Sequence, residues 1–250
     1  MTPLARVIAA ALLLQGATVN DARPLPDPKP FFDAVRSNLA RSQDAQNRFA
    51  YKERRTDLDL NPFGHIGTGG TRVVEVTPIE RGAAVNRRLL ERDGMPVANS
   101  TSVRREIRMS EQGRSVVDDV AAMLDVTIDH RATLDGRDAI VVRFKPRPDA
   151  KPRTREGRVA RDFMGQIWID ERAREVAKID ATAIDDLSFG YGVLGRLNEG
   201  ATATVRRQPI EEGLWLPVSI RFNGEGRALL FFRKLTINFA VDWFDYRKAF

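Results

Sequence analysis

Apolar and polar positions alternate with a period of two through most of this chain, most plainly in Leu214-Trp-Leu-Pro-Val-Ser-Ile-Arg-Phe222. Leu214, Leu216, Val218, Ile220 and Phe222 fall on one face and Trp215, Pro217, Ser219 and Arg221 on the other, as a half-buried strand requires. The same alternation marks Phe163-Met-Gly-Gln-Ile-Trp-Ile-Asp170 and Glu175-Val-Ala-Lys-Ile-Asp180. It predicts further strands near 50–60, 71–79, 84–92, 126–134, 139–145, 201–210 and 234–245. Asp93-Gly94 and Asp135-Gly136 separate such runs and predict tight hairpin turns.

Helical spacing replaces this alternation in two places. Phe31, Phe32, Val35 and Leu39 predict an amphipathic helix over about 29–47. Val116, Val117, Val120, Ala121 and Leu124 line one face of a second helix, the end of a helical insertion over about 100–124. Between Pro146 and Arg161, six basic residues stand against two acidic ones among prolines and a glycine, which reads as a mobile cationic loop. Gly67-Thr-Gly-Gly70 lacks the lysine of a phosphate loop, and Ser188-Phe-Gly-Tyr-Gly-Val-Leu-Gly195 reads as a glycine-rich connection or a lip over a cavity. The expected class is therefore α+β, mainly antiparallel β. A sheet with one wet and one apolar face needs a cover, and any part of the apolar face left unfilled is a cavity for hydrocarbon.

Composition changes this picture at three points. The chain has 250 residues, 42% of them apolar, enough for a full core. Arg6, the apolar run Val7 to Leu14 and the small residues Gly16, Ala17 and Ala22 have the layout of a secretory signal peptide over 1–22. A Pro-rich linker over 23–30 and one domain over 31–250 follow, and the apolar run is too short to span a bilayer. Cysteine is absent, which excludes a disulfide framework, a thiol nucleophile and a lipid-modified cysteine. A net charge of +6 favours anionic surfaces, which after export are lipid headgroups rather than nucleic acid.

Candidate chemistry is sparse. His65 and His130 are far apart and lack thiol partners, so neither a metal site nor a histidine-dependent triad is expected. Asp118-Asp119 and Asp185-Asp186 are adjacent, and successive side chains diverge, so they are not an acid/base pair. Trp168, Trp215 and Trp243 read as packing residues. No catalytic residue, metal ligand or cofactor is assigned, and the chain reads as a binding protein rather than an enzyme. The residues that alternation places on apolar faces are Val126, Ile128, His130, Ile167, Ile169, Leu216, Val218, Ile220 and Phe222, and these are the candidate ligand-binding set. His130 would present a polar group inside the cavity or pair with a neighbouring acid.

In order of elements, and in residues around 163–180 and 214–222, the chain resembles the periplasmic outer-membrane lipoprotein carrier superfamily, with its LolA-like, LppX-type and RseB-type members. The resemblance implies a single curved half-barrel sheet of about nine to eleven strands with helices on its concave face. A closed lipocalin-type barrel is the competing architecture. It also implies a periplasmic, lipoprotein-sorting-like function in which a lipid or acylated ligand lies between sheet and helices. The basic charge adds an anionic membrane surface as a partner. The alternatives are a sensor of the RseB type, with an envelope protein as partner, and a lipid or glycan hydrolase. A hydrolase would carry a buried carboxylate or lysine of shifted pKa in the concave cleft.

Overall fold

The computed structural model describes residues 23–57, 70–106, 113–189, 195–228 and 233–250. The signal-like segment, His65, the Gly67–Gly69 turn and Gly190–Leu194 lie outside them. All fourteen strands join one antiparallel sheet that is not closed into a barrel. They are β1 (Phe49–Asp57), β2 (Thr71–Ile79), β3 (Ala84–Arg92), β4 (Met95–Pro96), β5 (Val103–Glu106), β6 (Leu124–Leu134), β7 (Arg137–Pro146), β8 (Phe163–Asp170), β9 (Glu175–Ala183), β10 (Leu187–Phe189), β11 (Gly195–Leu197), β12 (Thr202–Glu211), β13 (Leu214–Ala228) and β14 (Arg233–Lys248). The spatial order is β4-β3-β2-β1-β14-β13-β12-β9-β8-β7-β6, with β5 beside β3 and the β10–β11 pair beside β13. The long C-terminal strand β14 thus closes the gap between the N-terminal meander β1–β4 and the later one.

Turn chemistry fixes the register locally. Asp93 and Asp135 take φ of 52° and 51°, and Gly94 and Gly136 take 77° and 76°, the left-handed pair that a two-residue hairpin turn requires. Register shifts interrupt the ladder within β2–β3, β6–β7, β8–β9 and β12–β13 and beside Tyr51 in β1–β14. Each such bulge bends the sheet and re-aims the side chains that follow it.

Helix α1 (Pro28–Gln46) starts where Asp27 accepts a hydrogen bond from the Lys29 amide, with proline at the first helical position, where no N–H is needed. Its apolar stripe, Phe31 and Val35 with Phe32 and Leu39 beside them, packs on Ile140, Val142, Ile169 and Val176 of β7, β8 and β9. Asn38 caps the β8–β9 turn through the Ala173 and Arg174 carbonyls, and the Arg174 guanidinium lies 4.7 Å from the Phe31 ring. Helix α2 (Gly113–Met123) leads directly into β6, and its Met123 joins a second cluster with Leu124, Phe144, Phe163, Ala183 and Ala201.

Two expectations are corrected here. Among the described residues the helical insertion is only α2, because Val103–Glu106 is strand β5, paired with Ala84–Arg87. Its exposed, alternating charges Arg104, Arg105 and Glu106 suit an edge strand. The cationic loop contains a third helix, α3 (Arg155–Ala160), capped by Thr154, whose Oγ1 accepts from the Gly157 amide at 3.0 Å. Thr154 in turn donates to Asp119 of α2 at 2.7 Å through its hydroxyl and 2.8 Å through its amide. Asp119, 1% exposed, also accepts from the Arg153 amide, so it holds α3 against α2.

Candidate ligand-binding face

Cross-strand partners share a face, so the contacts of α1 identify which face of the sheet meets the helices. From Ile179 on β9, packed against the α1 cluster, the register passes to Val205, then Ile220, then Val241. One rung along, Ala181 leads through Ala203 and Phe222 to Phe239. The helix-side face therefore continues from β9 across β12, β13 and β14, and into β1 and β2 through Val241 opposite Arg55, Trp243 opposite Glu53, and Glu53 opposite Val74.

This second half differs from the first. Ile220, Phe222, Ile237, Phe239, Trp243, Val74 and Leu89 are all only half-buried, whereas Ile140, Val142 and Ile169 under α1 are essentially inaccessible. Phe222 and Phe239 stack with centroids 5.4 Å apart and planes 15° from parallel, forming the centre of this wall. Arg55 lies 5.0 Å over the Phe239 ring from the same face, and the Glu53–Arg87 pair at 2.9 Å edges it. The result is an aromatic and aliphatic surface with guanidinium groups on its rim. Such a surface holds hydrocarbon without directional recognition, each buried methylene contributing about 0.8 kcal/mol.

Two concavities flank the wall. One, of about 180 Å³, lies between the C-terminal end of α1 and β1–β3, and is lined by Gln43, Gln46, Asn47, Tyr51, Arg87 and Arg105 together with Phe49 and Val85. It is smaller than a drug-sized site and suits a polar group better than a chain. Burial, followed by the Glu53 charge, raises the pKa of Tyr51, which keeps its phenol protonated. The other is an open groove between α1 and the β12–β13 hairpin, with Arg41, Asp44, Arg48, Glu211 and Glu212 on its walls.

A buried polar clamp fixes α1 to the sheet beside this groove. Ser42 Oγ donates to Glu175 Oε1 at 2.9 Å, while Arg207 Nη1 donates to Glu175 Oε2 and to the Val176 carbonyl, both at 3.1 Å. Arg207 Nη2 donates to the Trp215 carbonyl at 2.6 Å. Burial pushes the Glu175 carboxyl up despite Arg207 and Ser42, and burial pushes Arg207 down. Ser42 is 0% and Glu175 1% exposed, so this serine–carboxylate contact is closed to any substrate and acts as a fastening.

The sequence-derived residues separate into different environments. Ile220 and Phe222 belong to the half-buried wall, and Val218 is the residue that the β12–β13 register skips. Beyond that bulge Leu216 is fully buried with Leu214 and Phe49 against Ala45 of α1. Ile169 is core under α1, while Ile128 and Ile167 lie half-buried at its margin. Val126 opposes Phe144 at the start of β6 and is 36% exposed.

His130 is not on the helix side. A bulge after Ile128 pairs His130 with Val141, and its exposed side chain lies 3.2 Å from Asp129. The residue that the bulge turns inward is Arg131, opposite Ile140. It binds Glu171 through two contacts of 2.7 Å and the Arg23 and Pro24 carbonyls, fixing the segment that enters α1. The half-buried residues of β14 had a legible signal in the alternation Ile237, Phe239, Val241 and Trp243, but strand order alone makes them neighbours of Phe222.

No protein family and no curated protein matches this chain. Among solved structures it is similar to a DUF1329 family protein from Desulfovibrio piger, at 14% identity over 89% of this chain and 94% of that one, with a TM-score of 0.40. It is similar to the LolA superfamily protein NE2245 from Nitrosomonas europaea, at 10% identity over 86% and 92%, with a TM-score of 0.36. A Pseudomonas aeruginosa MucA/MucB complex matches at 11% identity over 85% and 94%, with a TM-score of 0.26. The site's chemistry is therefore read from this chain's own residues.

Proposed function

We propose that this protein is an exported binder or carrier of a lipid or lipidated molecule, whose acyl portion lies on the wall formed by Ile220, Phe222, Phe239, Val241 and Trp243. The observation that carries this reading is that Ile220, Phe222, Ile237, Phe239 and Trp243, on the helix-side face of an open sheet, stay half-buried around the buried Val241, whereas the apolar residues under α1 are fully covered. A contiguous apolar wall without a full cover is the mark of a ligand or partner surface. Ile128, Ile167 and Ile169 lie on β6 and β8, in the half that α1 fills, and Leu216 lies in the core beside Phe49.

The signal-like layout of the first 22 residues supports export, and a periplasmic setting is part of this reading. Among the described residues no helix is long and apolar enough to cross a membrane. In this reading the protein acts by binding; the buried Ser42–Glu175 contact is closed to substrate and lends a hydrolase no support.

Native mass spectrometry and lipid extraction of protein purified from its own envelope test this reading, together with uptake of a fluorescent fatty acid. The expected result is a co-purifying lipid and saturable uptake that Ile220→Asp abolishes. Protein that carries no lipid and takes up no probe, or uptake unchanged by Ile220→Asp, overturns it. Capture of a stoichiometric membrane protein in the absence of lipid instead identifies the sensor mode. Turnover of an envelope lipid by pure protein identifies a hydrolase.

A further inference from the structure

One end of the sheet combines positive charge with apolar side chains that stand exposed and that no other described element covers. The register brings together at this tip the start of β6, the end of β7, the start of β8 and the end of β9, through Leu124 opposite Pro146, Phe144 opposite Gly165 and Phe163 opposite Ala183. Helix α3 closes it: the Asp162 amide bonds to the Val159 carbonyl, and the Ile184 amide to the Asp162 carbonyl. Four large apolar side chains stand exposed on these elements, Val159 at 53%, Met164 at 49%, Ile184 at 38% and Val126 at 36%. They account for half of the eight large hydrophobic side chains that are exposed among the described residues, and the other four are spread over distant elements.

The same tip carries the basic segment. Lys145, Arg147, Lys151, Arg153, Arg158 and Arg161 are all exposed. Arg153 and Arg161 approach Asp119 and Asp162, while Arg147, Lys151 and Arg158 make no ion pair among the described residues. Asp125, Asp149, Glu156 and Asp185 are also exposed here, and across 146–161 bases outnumber acids six to two.

We infer that this tip docks on an anionic phospholipid surface, with the basic side chains at headgroup level and Val159, Met164 and Ile184 entering the interface. Single apolar side chains separated by long cations form no groove for a protein segment. They match the layered chemistry of a bilayer surface, where lysine and arginine stems lie along the apolar layer and their charges reach the phosphates. Charge attraction and shallow insertion add, and the charge part falls off within about 10 Å at moderate salt. The tip lies outside the acyl-binding wall, so docking is independent of ligand loading.

Co-sedimentation of the mature protein with vesicles of phosphatidylethanolamine and phosphatidylglycerol, against pure phosphatidylcholine vesicles, tests this. Binding to the anionic vesicles alone is expected, weakening by about tenfold as salt rises from about 0.05 to about 0.5 M. Arg147→Glu/Lys151→Glu/Arg158→Glu should lower the partition coefficient by roughly a hundredfold, and Val159→Ser/Met164→Ser by several-fold at fixed salt. Both variants should keep the wild-type thermal transition and fatty-acid uptake, which separates failure at the tip from failure of the lipid-binding reading. Equal binding to both vesicle types, no binding to either, or full binding by the charge-reversed variant overturns the inference. So does capture of a single envelope protein by the tip in lipid-free solution, abolished by the same charge reversal.

Discussion

The two halves of the helix-side face share aliphatic and aromatic residues and end in different states, the open half also bearing Glu53, Arg55 and Arg87. Under α1, Ile140, Val142, Ile169 and Val176 meet Phe31 and Val35 and lose almost all exposure. Across β13, β14, β1 and β2, Ile220, Phe222, Phe239, Trp243 and Val74 keep part of theirs. The apolar residues of the two halves differ in whether a helix covers them, and the charges on β1 and β3 mark the open side. Apolar surface that meets a complementary stripe becomes core and contributes to stability, while apolar surface that does not remains available to a ligand. The two fastenings that hold the helices, the Ser42–Glu175–Arg207 clamp and the Asp119 anchor, lie on the filled side and are fully buried.

That division predicts a gradient of mutational effects. The largest is expected at the clamp, where Arg207→Ala leaves Glu175 buried without its cation and costs about 4 kcal/mol in urea unfolding. A loss below about 1 kcal/mol would show that α1 is held by apolar packing alone. Next, Ile140→Ala removes a fully buried side chain beneath α1 and should cost about 3 kcal/mol while leaving fatty-acid affinity nearly unchanged. Parallel loss of affinity would erase the distinction between the halves.

Asp119→Asn should cost about 2 kcal/mol at neutral pH, because it weakens acceptance from Thr154 and Arg153. Burial alone would raise this carboxyl, but the hydroxyl and amide of Thr154 and the Arg153 amide outweigh it and hold the pKa below the usual range. Its contribution is therefore present above the ordinary aspartate value and lost as pH falls through the lowered one. The stability difference between wild type and Asp119→Asn should accordingly shrink to nothing in acid, as unfolding at a series of pH values would reveal. Glu175 has the opposite sign: burial raises its pKa, so its contribution is greatest in acid and declines as pH rises through the raised value.

The smallest stability effect is expected in the open half. Phe239→Ala should cost only about 1 kcal/mol, since the ring is only half-buried and loses mainly its stack with Phe222. Its fatty-acid affinity should nonetheless fall by about tenfold, a loss of roughly two buried methylenes' worth of contact. Fluorescence titration of Phe239→Ala and Ile140→Ala side by side gives the sharpest form of the comparison, and equal affinities would remove the wall from the binding site.

The strand positions, the amphipathic α1, the Asp-Gly turns and the antiparallel class were legible in the sequence because each depends on local causes: side-chain period, cap residues and the left-handed preference of glycine. Strand β5 and helix α3 were not, since one valine followed by three charged residues carries too little apolar period to mark an edge strand, and α3 depends on Asp119, thirty-five residues before its cap. The candidate site was only partly legible. Alternation correctly grouped Ile220 with Phe222, but it also carried His130 and Leu216 onto the same surface, because a period of two has no knowledge of a bulge. Inserting one residue opposite Val141 exchanges the directions of His130 and Arg131, and that exchange depends on the partner strand. Strand order decided the rest: β14 lies between β1 and β13, so Phe239 meets Phe222 only after the C-terminal strand has crossed back to the first. Sequence alone determined which residues are apolar and how they alternate; only tertiary structure decided which of them a helix would cover.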